Sequence, residues 1–328
     1  MGLLPLDIEI LPPYDDRVFK LILTAPEAKP ALMNLVPAVI KRPITDIWVR
    51  NNELPPGDTE EKAVRLDLNC VTDDGSQVDI EMQSSRVAEQ QGGGHRNLIG
   101  KSIYYLCDLH SSQKSKGKSY DELARSYQIT FCGYTIFPNR KDFISSYSMR
   151  HDTDNELLND AINVMFVELT KLNDLLKKPV DKMTDIEMWA VFLRYAESPD
   201  YRDVVNRIIE SKEALNVAGE LLMNISQDER ERAIFRSRRM YQTDLESNMI
   251  TSRRVGLAEG RAEGRAEGRA EGRVEGRAEG RAEGRAEGRA EGRAEVAKRL
   301  LSRNRSIDEI VEDTGLTREE VDNLRDAD

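Results

Sequence analysis

The sequence predicts an α/β protein in which a mixed sheet flanked by helices is followed by further helices, a low-complexity repeat and a small helical module. Two segments with period-two alternation surround a turn that contains glycine, which is typical of a β-hairpin. Other strand-like and helical segments alternate over residues 14–182, and the pattern is helical over residues 183–255. A tetrapeptide repeat follows over residues 256–295, and residues 296–328 form a predicted helical hairpin.

The first elements of the predicted core are short because prolines interrupt them. Asp16 to Leu23 and Ala31 to Ile40 are predicted helices, and they are separated by Pro26 and Pro30. Proline is poorly tolerated in the interior of a helix, so we expect a break between the two segments around these two residues. Ile44 to Arg50 is the first predicted strand, and the hairpin follows it.

The hairpin is the most informative part of the chain. Val64 to Cys70 and Gln77 to Gln83 each alternate apolar with polar residues. A turn centred on Asp74 pairs residues whose numbers sum to an even value, so it places Asp67 opposite Glu81 on one face. Like charges that face each other across two strands repel. We therefore expect a cation between these carboxylates, and a divalent metal ion is the best candidate.

Helical and strand patterns continue beyond the hairpin. Asn97 to Leu109 is a predicted helix, and Gln128 to Phe137 and Ile162 to Leu169 are predicted strands. From Met183 to Arg254 the pattern is helical, with an apolar stripe that includes Trp189. Aromatic residues at this spacing are typical of helix packing, so we assign them to the core and not to a binding surface.

Several short motifs surround the hairpin in a defined order. In chain order, the motifs are Asp15-Asp16-Arg17-Val18-Phe19-Lys20, Lys62, Arg65-Leu66-Asp67, Asp79-Ile80-Glu81-Met82-Gln83, Arg96, Tyr104-Tyr105, Gly117, Tyr120 and Tyr127 to Phe131. They cover about residues 14–140 well, and the similarity extends more loosely to about residue 250. The arrangement resembles the recombination-promoting nuclease and transposase branch of the PD-(D/E)XK nuclease superfamily. The resemblance implies a restriction-endonuclease-like core and an enzyme that hydrolyses DNA phosphodiester bonds in recombination or mobile-element movement.

The resemblance also implies a metal site that holds Mg²⁺ or another divalent cation. Asp67 would be the first metal ligand and Glu81 the second, with both residues catalytic. Gln83 occupies the place where most of the superfamily has lysine, whose ammonium can stabilise developing charge. An amide can only orient the attacking water by hydrogen bonding, so the metal must supply most of the acidification. Asp16 is either a third metal ligand or the N-cap of the first helix.

The charge distribution is compatible with DNA as a partner, although the net charge of the chain is −11. Residues 84–141 contain nine Lys and Arg against four Asp and Glu. Phosphate backbones are bound by such local patches whatever the global charge. A solvated flexible loop is the alternative interpretation of the three clustered lysines. The predicted DNA-binding residues are Arg86, Arg96, Lys101, Lys114, Lys116 and Lys118.

Other features exclude several classes of protein. Cys70, Cys107 and Cys132 lie in apolar contexts without paired spacing, which predicts reduced core residues of a cytoplasmic protein. The three histidines have no zinc-ligand spacing with them. No apolar run approaches the roughly 18 residues of a membrane span, so a membrane partner is not expected.

Residues 256–328 are assigned to spacing and assembly. In the Ala-Glu-Gly-Arg repeat each glycine costs about 1 kcal/mol relative to alanine, and the i,i+4 neighbours carry like charges. We expect a weak helical or mobile spacer that can self-associate. Ser306 to Ile310 and Thr314 to Thr317 resemble a helix-turn-helix. Because residues 296–328 contain six basic and nine acidic residues, a hairpin for self-association is favoured over a DNA-contacting module.

Two further functions compete with a DNA endonuclease. A catalytically inactive DNA-binding or oligomeric assembly protein could be built on the same fold. The intact pair of Asp67 and Glu81 argues against it, because a repulsive pair without a function has no reason to remain facing. An RNA-directed nuclease is a third possibility, and the sequence contains no aromatic platform or reader of the 2′-hydroxyl group that would decide between RNA and DNA.

Overall fold

The computed structural model describes the following residues, apart from the side chains of His95 and Arg96: 3–50, 68–84, 95–113 and 119–326. The chain forms two compact units, residues 1–246 and residues 247–328. The predicted core and most of the helical extension lie in the first unit, whereas the repeat and the helical hairpin lie in the second.

A mixed sheet forms the centre of the first unit. Its strands are β1 (Ile47–Val49), β2 (Leu68–Thr72), β3 (Gln77–Gln83), β4 (Ser126–Cys132), β5 (Ile144–Ser148) and β6 (Ile162–Glu168). The six strands lie in the order β1-β2-β3-β4-β6-β5. β3, β4 and β6 run parallel, and the other neighbouring strands are antiparallel. The mixed α/β core predicted from the sequence is confirmed.

Helices cover both faces of this sheet. They are α1 (Asp16–Thr24), α2 (Lys29–Ile40), α3 (His95–Ser111), α4 (Asp185–Tyr195), α5 (Arg202–Ser211) and α6 (Glu213–Gln227). All except α3 share one hydrophobic core with the odd-numbered apolar residues of β4, such as Phe131. α3 packs on the opposite face, where Leu98 and Leu106 contact a second apolar cluster that includes Phe166. The polar residues of β3 lie on this second face because strand residues alternate between faces.

The register of the predicted hairpin is confirmed within the residues that the structure describes. Leu68 pairs with Ile80 and Cys70 with Val78, as a turn centred on Asp74 requires. The carboxylate of Asp74 accepts hydrogen bonds from the Thr72 hydroxyl at 2.6 Å and from the Ser76 N–H at 3.0 Å. The chain then reverses at a glycine in the left-handed region, with φ of 80°. Asp67 lies outside the described residues, so its pairing with Glu81 stays a prediction.

Two details of the core differ from the sequence analysis. β5 was not predicted, because its sequence, Ile-Ser-Ser-Tyr-Ser, is rich in serine, and it forms an edge strand antiparallel to β6. The assignment of Cys107 to the core is wrong, since this residue lies on the exposed side of α3. Cys70 and Cys132 are buried as expected, and burial raises the pKa of the Cys70 thiol to about 12.

The repeat forms a helix. α7 (Glu229–Leu301) is a continuous helix of 73 residues that includes the whole tetrapeptide segment. Each glycine of the repeat has open space where a Cβ would lie, so these positions are not required by close packing within the chain. The expectation of a weak helix therefore rests on the intrinsic cost of glycine and not on any steric conflict.

The predicted C-terminal hairpin is present in the second unit. α8 (Ile307–Thr314) and α9 (Arg318–Asp326) pack with the end of α7 through Ala297, Ile310 and Val321, which are fully buried. Ser306 and Glu309 form a capping box at the start of α8. Gly315, with φ of 66°, ends α8 in the left-handed conformation.

Gly315→Ala is expected to lower the free energy of unfolding of this hairpin by about 1 kcal/mol, because a Cβ disfavours the left-handed conformation. The nearest atom to that Cβ is 4.0 Å away, so the loss is conformational and not steric. Hydrogen exchange of the α8 amides would measure it. Gly264→Ala is the matched control: this helical glycine has open space around it, so the same substitution should stabilise the chain.

Candidate active site

The centre of the candidate site is Glu81 on β3, whose side chain is 1% exposed. Gln83 follows two residues later on the same strand, and its amide nitrogen lies 3.4 Å from a carboxylate oxygen of Glu81. Residues two apart on a strand share a face. α3 covers this face, which explains why a polar side of the hairpin is buried and not solvated.

A lysine from α3 contacts the Glu81 carboxylate. The ammonium nitrogen of Lys101 lies 3.0 Å from Oε1 and 3.1 Å from Oε2 of Glu81. It also lies 4.9 Å from the centre of the Tyr105 ring, within cation–π distance. An ionised carboxylate in the interior requires a compensating charge. The site is therefore built to hold positive charge beside Glu81.

More polar residues of the same face are buried than the sequence analysis anticipated. Asp79 and Gln128 are fully buried, and Asn69 is 3% exposed. These three residues are neighbours on β2, β3 and β4, so they form one row across the sheet. Asp79 was missed as a candidate site residue, although it shares the strand parity of Glu81 and Gln83. The alternation indicated which residues share a face, but not that α3 would cover that face.

The residues present fit a divalent cation at Glu81. Carboxylate and amide oxygens are the hard ligands that Mg²⁺ prefers, and this position already attracts the ammonium of Lys101. Among residues 3–50, 68–84, 95–113 and 119–326, no group of three or more His, Cys, Asp or Glu side chains could hold a metal. A second acidic ligand from Asp67 stays a prediction, because that residue is not among those described.

The interpretation of Asp16 as a helix cap is wrong. Asp15 is the N-cap of α1, and its Oδ1 accepts hydrogen bonds from the backbone N–H groups of Arg17 at 3.0 Å and Val18 at 3.2 Å. Burial raises the pKa of the Asp15 carboxyl, and the adjacent charge of Asp16 adds to this effect. Asp16 is the first helical residue, and both its carboxylate oxygens accept hydrogen bonds from Arg238, at 2.7 and 3.0 Å. Its role as a third metal ligand stays a prediction.

A cleft of about 260 Å³ adjoins the end of β3, where Ser84 follows Gln83. Tyr14, Asp15 and Arg239 line it together with Glu197. Burial raises the pKa of the Tyr14 hydroxyl to about 12, and its hydrogen bond to Glu197 contributes to the shift. Tyr14 is therefore a neutral hydrogen-bond donor at physiological pH.

The predicted DNA-binding residues cannot be placed as a set. Arg86, Lys114, Lys116 and Lys118 lie outside the described residues, and of Arg96 the structure describes the backbone in α3 alone. Lys101 is described, and its ammonium lies on the Glu81 carboxylate. The contact to DNA expected for these six residues stays a prediction.

Comparison with known proteins gives one family. The family model described as PD-(D/E)XK nuclease family transposase matches residues 13–252, which include the whole sheet and helices α1 to α6. No curated protein and no solved structure matches the chain significantly. Within the described part of the chain, no helix is both long enough and apolar enough to cross a membrane. The matched region covers well over half of the sequence and contains Glu81 and Gln83, so the chain belongs to the family of PD-(D/E)XK nuclease transposases.

Proposed function

We propose that this protein is a metal-dependent DNA endonuclease that hydrolyses phosphodiester bonds in recombination or in the movement of mobile elements. The observation that supports it most is the buried carboxylate of Glu81, which lies on a strand within the region that the family model matches and contacts the ammonium of Lys101 from α3. Members of this superfamily generally use divalent cations. In the alternative, an inactive DNA-binding or assembly protein, the pair of Glu81 and Lys101 would have a structural role alone.

In this mechanism Glu81 and Asp67 would hold the divalent cation. The ion, when bound, polarises the scissile phosphate and lowers the pKa of a water molecule. Gln83 orients the attacking water, because its amide can both donate and accept hydrogen bonds. The amide nitrogen of Gln83 lies 3.4 Å from Oε2 of Glu81, so a water molecule bound beside Glu81 would be within hydrogen-bonding reach of Gln83.

Substrate binding is assigned to basic residues around this centre. Arg86 and Arg96 would contact phosphates that flank the cleaved bond, and the basic loop of Lys114, Lys116 and Lys118 would hold the backbone further along. Such contacts are independent of sequence and weaken as salt concentration rises. They position the DNA without selecting a base sequence.

Removal of divalent metal is expected to abolish cleavage. Purified protein should nick or linearise supercoiled plasmid in Mg²⁺, should be inactive in EDTA, and should recover when excess Mg²⁺ is restored. Asp67→Asn should be inactive under all three conditions, because it loses a predicted metal ligand. Single-stranded DNA and RNA of the same sequence, assayed in parallel, would identify the substrate. If no substrate is cleaved with Mg²⁺ or Mn²⁺ while DNA is still retarded in a gel, the inactive DNA-binding function is correct instead.

A further inference from the structure

We propose that Lys101 supplies the fixed positive charge of this active site and is a catalytic residue, an inference that rests on the proposed nuclease function. From the sequence, Lys101 is predicted to contact the DNA backbone that flanks the site. The structure instead places its ammonium 3.0 and 3.1 Å from the two oxygens of Glu81. Gln83, which occupies the motif position of the lysine, is neutral and cannot perform this role.

The position of Lys101 is fixed by the packing of α3. Leu98 and Leu106, on either side of it along the helix, are 5% and 3% exposed and contact the apolar cluster on the sheet. The buried hydroxyl of Ser102 lies 3.4 Å from that of Thr130 on β4. These contacts hold the backbone of α3 in place, so the Lys101 side chain extends to the site from a fixed starting point. The backbone of Lys101 is therefore held close to the site, and only its side chain has to move to stabilise charge there.

The exposure of the two partners differs in a way that suits catalysis. The Glu81 side chain is 1% exposed, whereas that of Lys101 is 36% exposed. Lys101 therefore connects the buried carboxylate with the accessible side of the site, where a phosphate must enter. Before a metal binds, its ammonium neutralises Glu81. With a divalent cation held by Glu81, the Lys101 side chain would rotate so that its ammonium contacts a phosphate oxygen.

The proposed step leaves Lys101 protonated throughout. The water oxygen forms a bond to phosphorus, and the bond from phosphorus to the leaving sugar oxygen breaks. The attacking water loses its proton to bulk solvent, and the leaving oxygen takes one from solvent. Lys101 donates a hydrogen bond to a non-bridging phosphate oxygen, whose negative charge increases in the transition state. No bond to the lysine forms or breaks.

Lys101→Met tests the proposal because two measured quantities should change in opposite senses. Cleavage should become slower if Lys101 assists the reaction, whereas the metal should bind more tightly if Lys101 competes with it for Glu81. Cleavage under single-turnover conditions should be about 100-fold slower, as for loss of one preorganised donor. The Kd for Mn²⁺, measured by electron paramagnetic resonance of the free ion without DNA, should fall by about fivefold, because a competing ion pair is removed. Affinity for DNA in Ca²⁺ should change little, since the charge acts mainly in the transition state.

Lys171→Met is the matched control. Lys171 also pairs with a buried carboxylate, that of Glu168, at 2.6 Å, and it is 11% exposed. Its loss should lower the melting temperature without changing the Kd for Mn²⁺. Lys101→Gln, which is polar and shorter, serves as a second variant should Lys101→Met fail to fold. Lys101→Arg retains the charge with a different geometry, so it should recover part of the cleavage rate.

The outcomes separate this proposal from the proposed function. Unchanged cleavage by both neutral variants, in a wild type that cleaves, would overturn the role of Lys101 alone. Slower cleavage that is explained entirely by weaker DNA binding would also overturn it, because Lys101 would then be a backbone contact. If the wild type cleaves nothing, the nuclease function fails, whereas tighter Mn²⁺ binding by Lys101→Met would still support its competition for Glu81.

Discussion

Glu81→Gln is expected to reduce plasmid cleavage by at least about 1000-fold while leaving the protein folded. Glutamine has nearly the shape of glutamate, so packing beneath α3 should be conserved. A neutral amide binds a divalent cation far more weakly than a carboxylate does. The substitution also removes a charge from a position with 1% exposure. Because Lys101 is 36% exposed, its released ammonium can be solvated, so the melting temperature should be unchanged or higher.

Cleavage and thermal unfolding of the same preparations would measure this result. Glu81→Gln should also bind Mn²⁺ more weakly than the wild type does. This measurement separates a defect in the metal site from a defect in DNA contacts. Asp16→Asn in the same assays would decide whether Asp16 is a third ligand or belongs to the ion pair with Arg238. Metal-dependent cleavage by Glu81→Gln at the wild-type rate would show that the catalytic centre lies elsewhere in the chain.

The common face of Glu81 and Gln83 could be predicted from the sequence because strand parity is a local property. Once Asp74 is taken as the centre of the turn, the pairings of Leu68 with Ile80 and Asn69 with Asp79 follow by arithmetic. The same arithmetic places Glu81 and Gln83 on one face. What it cannot show is which element covers that face. The burial of Asp79 and Glu81 depends on α3, whose placement is a tertiary effect.

The contact between Lys101 and Glu81 illustrates a second limit. The two residues are 20 positions apart, and their meeting depends on how α3 is rotated on the sheet. The DNA contact predicted for Lys101 stays a prediction, and its ion pair with Glu81 was not anticipated. Asp15 and Asp16 show the same limit at a smaller scale. Aspartate is a good N-cap residue, so either of these adjacent residues could cap α1. Which one does so depends on the residue at which the helix begins, and α1 begins at Asp16.

The repeat forms a helix although its glycines disfavour one. Glycine at every fourth position predicts a weak helix, yet α7 continues through the whole segment. A helix turns about 100° per residue, so equivalent residues of a four-residue repeat advance by about 40° each time. The glycines therefore wind around α7 and do not form one straight face. Self-association through the repeat, which stays a proposal, would need a partner that follows this winding.

Glu168→Gln is expected to have the opposite effect to Glu81→Gln, although both carboxylates are fully buried. Oε1 of Glu168 accepts hydrogen bonds from the backbone N–H groups of Ile136 at 2.7 Å and Phe137 at 3.0 Å. Oε2 accepts one from the ammonium of Lys171 at 2.6 Å. These contacts tie the segment after β4 to the end of β6. An amide would present its NH₂ group to either the ammonium or the backbone donors, leaving buried donors without an acceptor.

The free energy of unfolding of Glu168→Gln should therefore fall by about 3 kcal/mol, the usual loss when one partner of a buried charged pair is removed. Urea unfolding followed by circular dichroism would measure it. At urea concentrations below the unfolding transition, each folded molecule of the variant should still cleave DNA. In the wild type the Glu168 carboxylate is bound by backbone groups and is assigned no part in cleavage. Glu168 and Gln83 occupy the same face and the same end of parallel strands on either side of β4. Loss of cleavage without loss of stability would consequently place Glu168 in the active site and contradict the structural role argued from its hydrogen bonds.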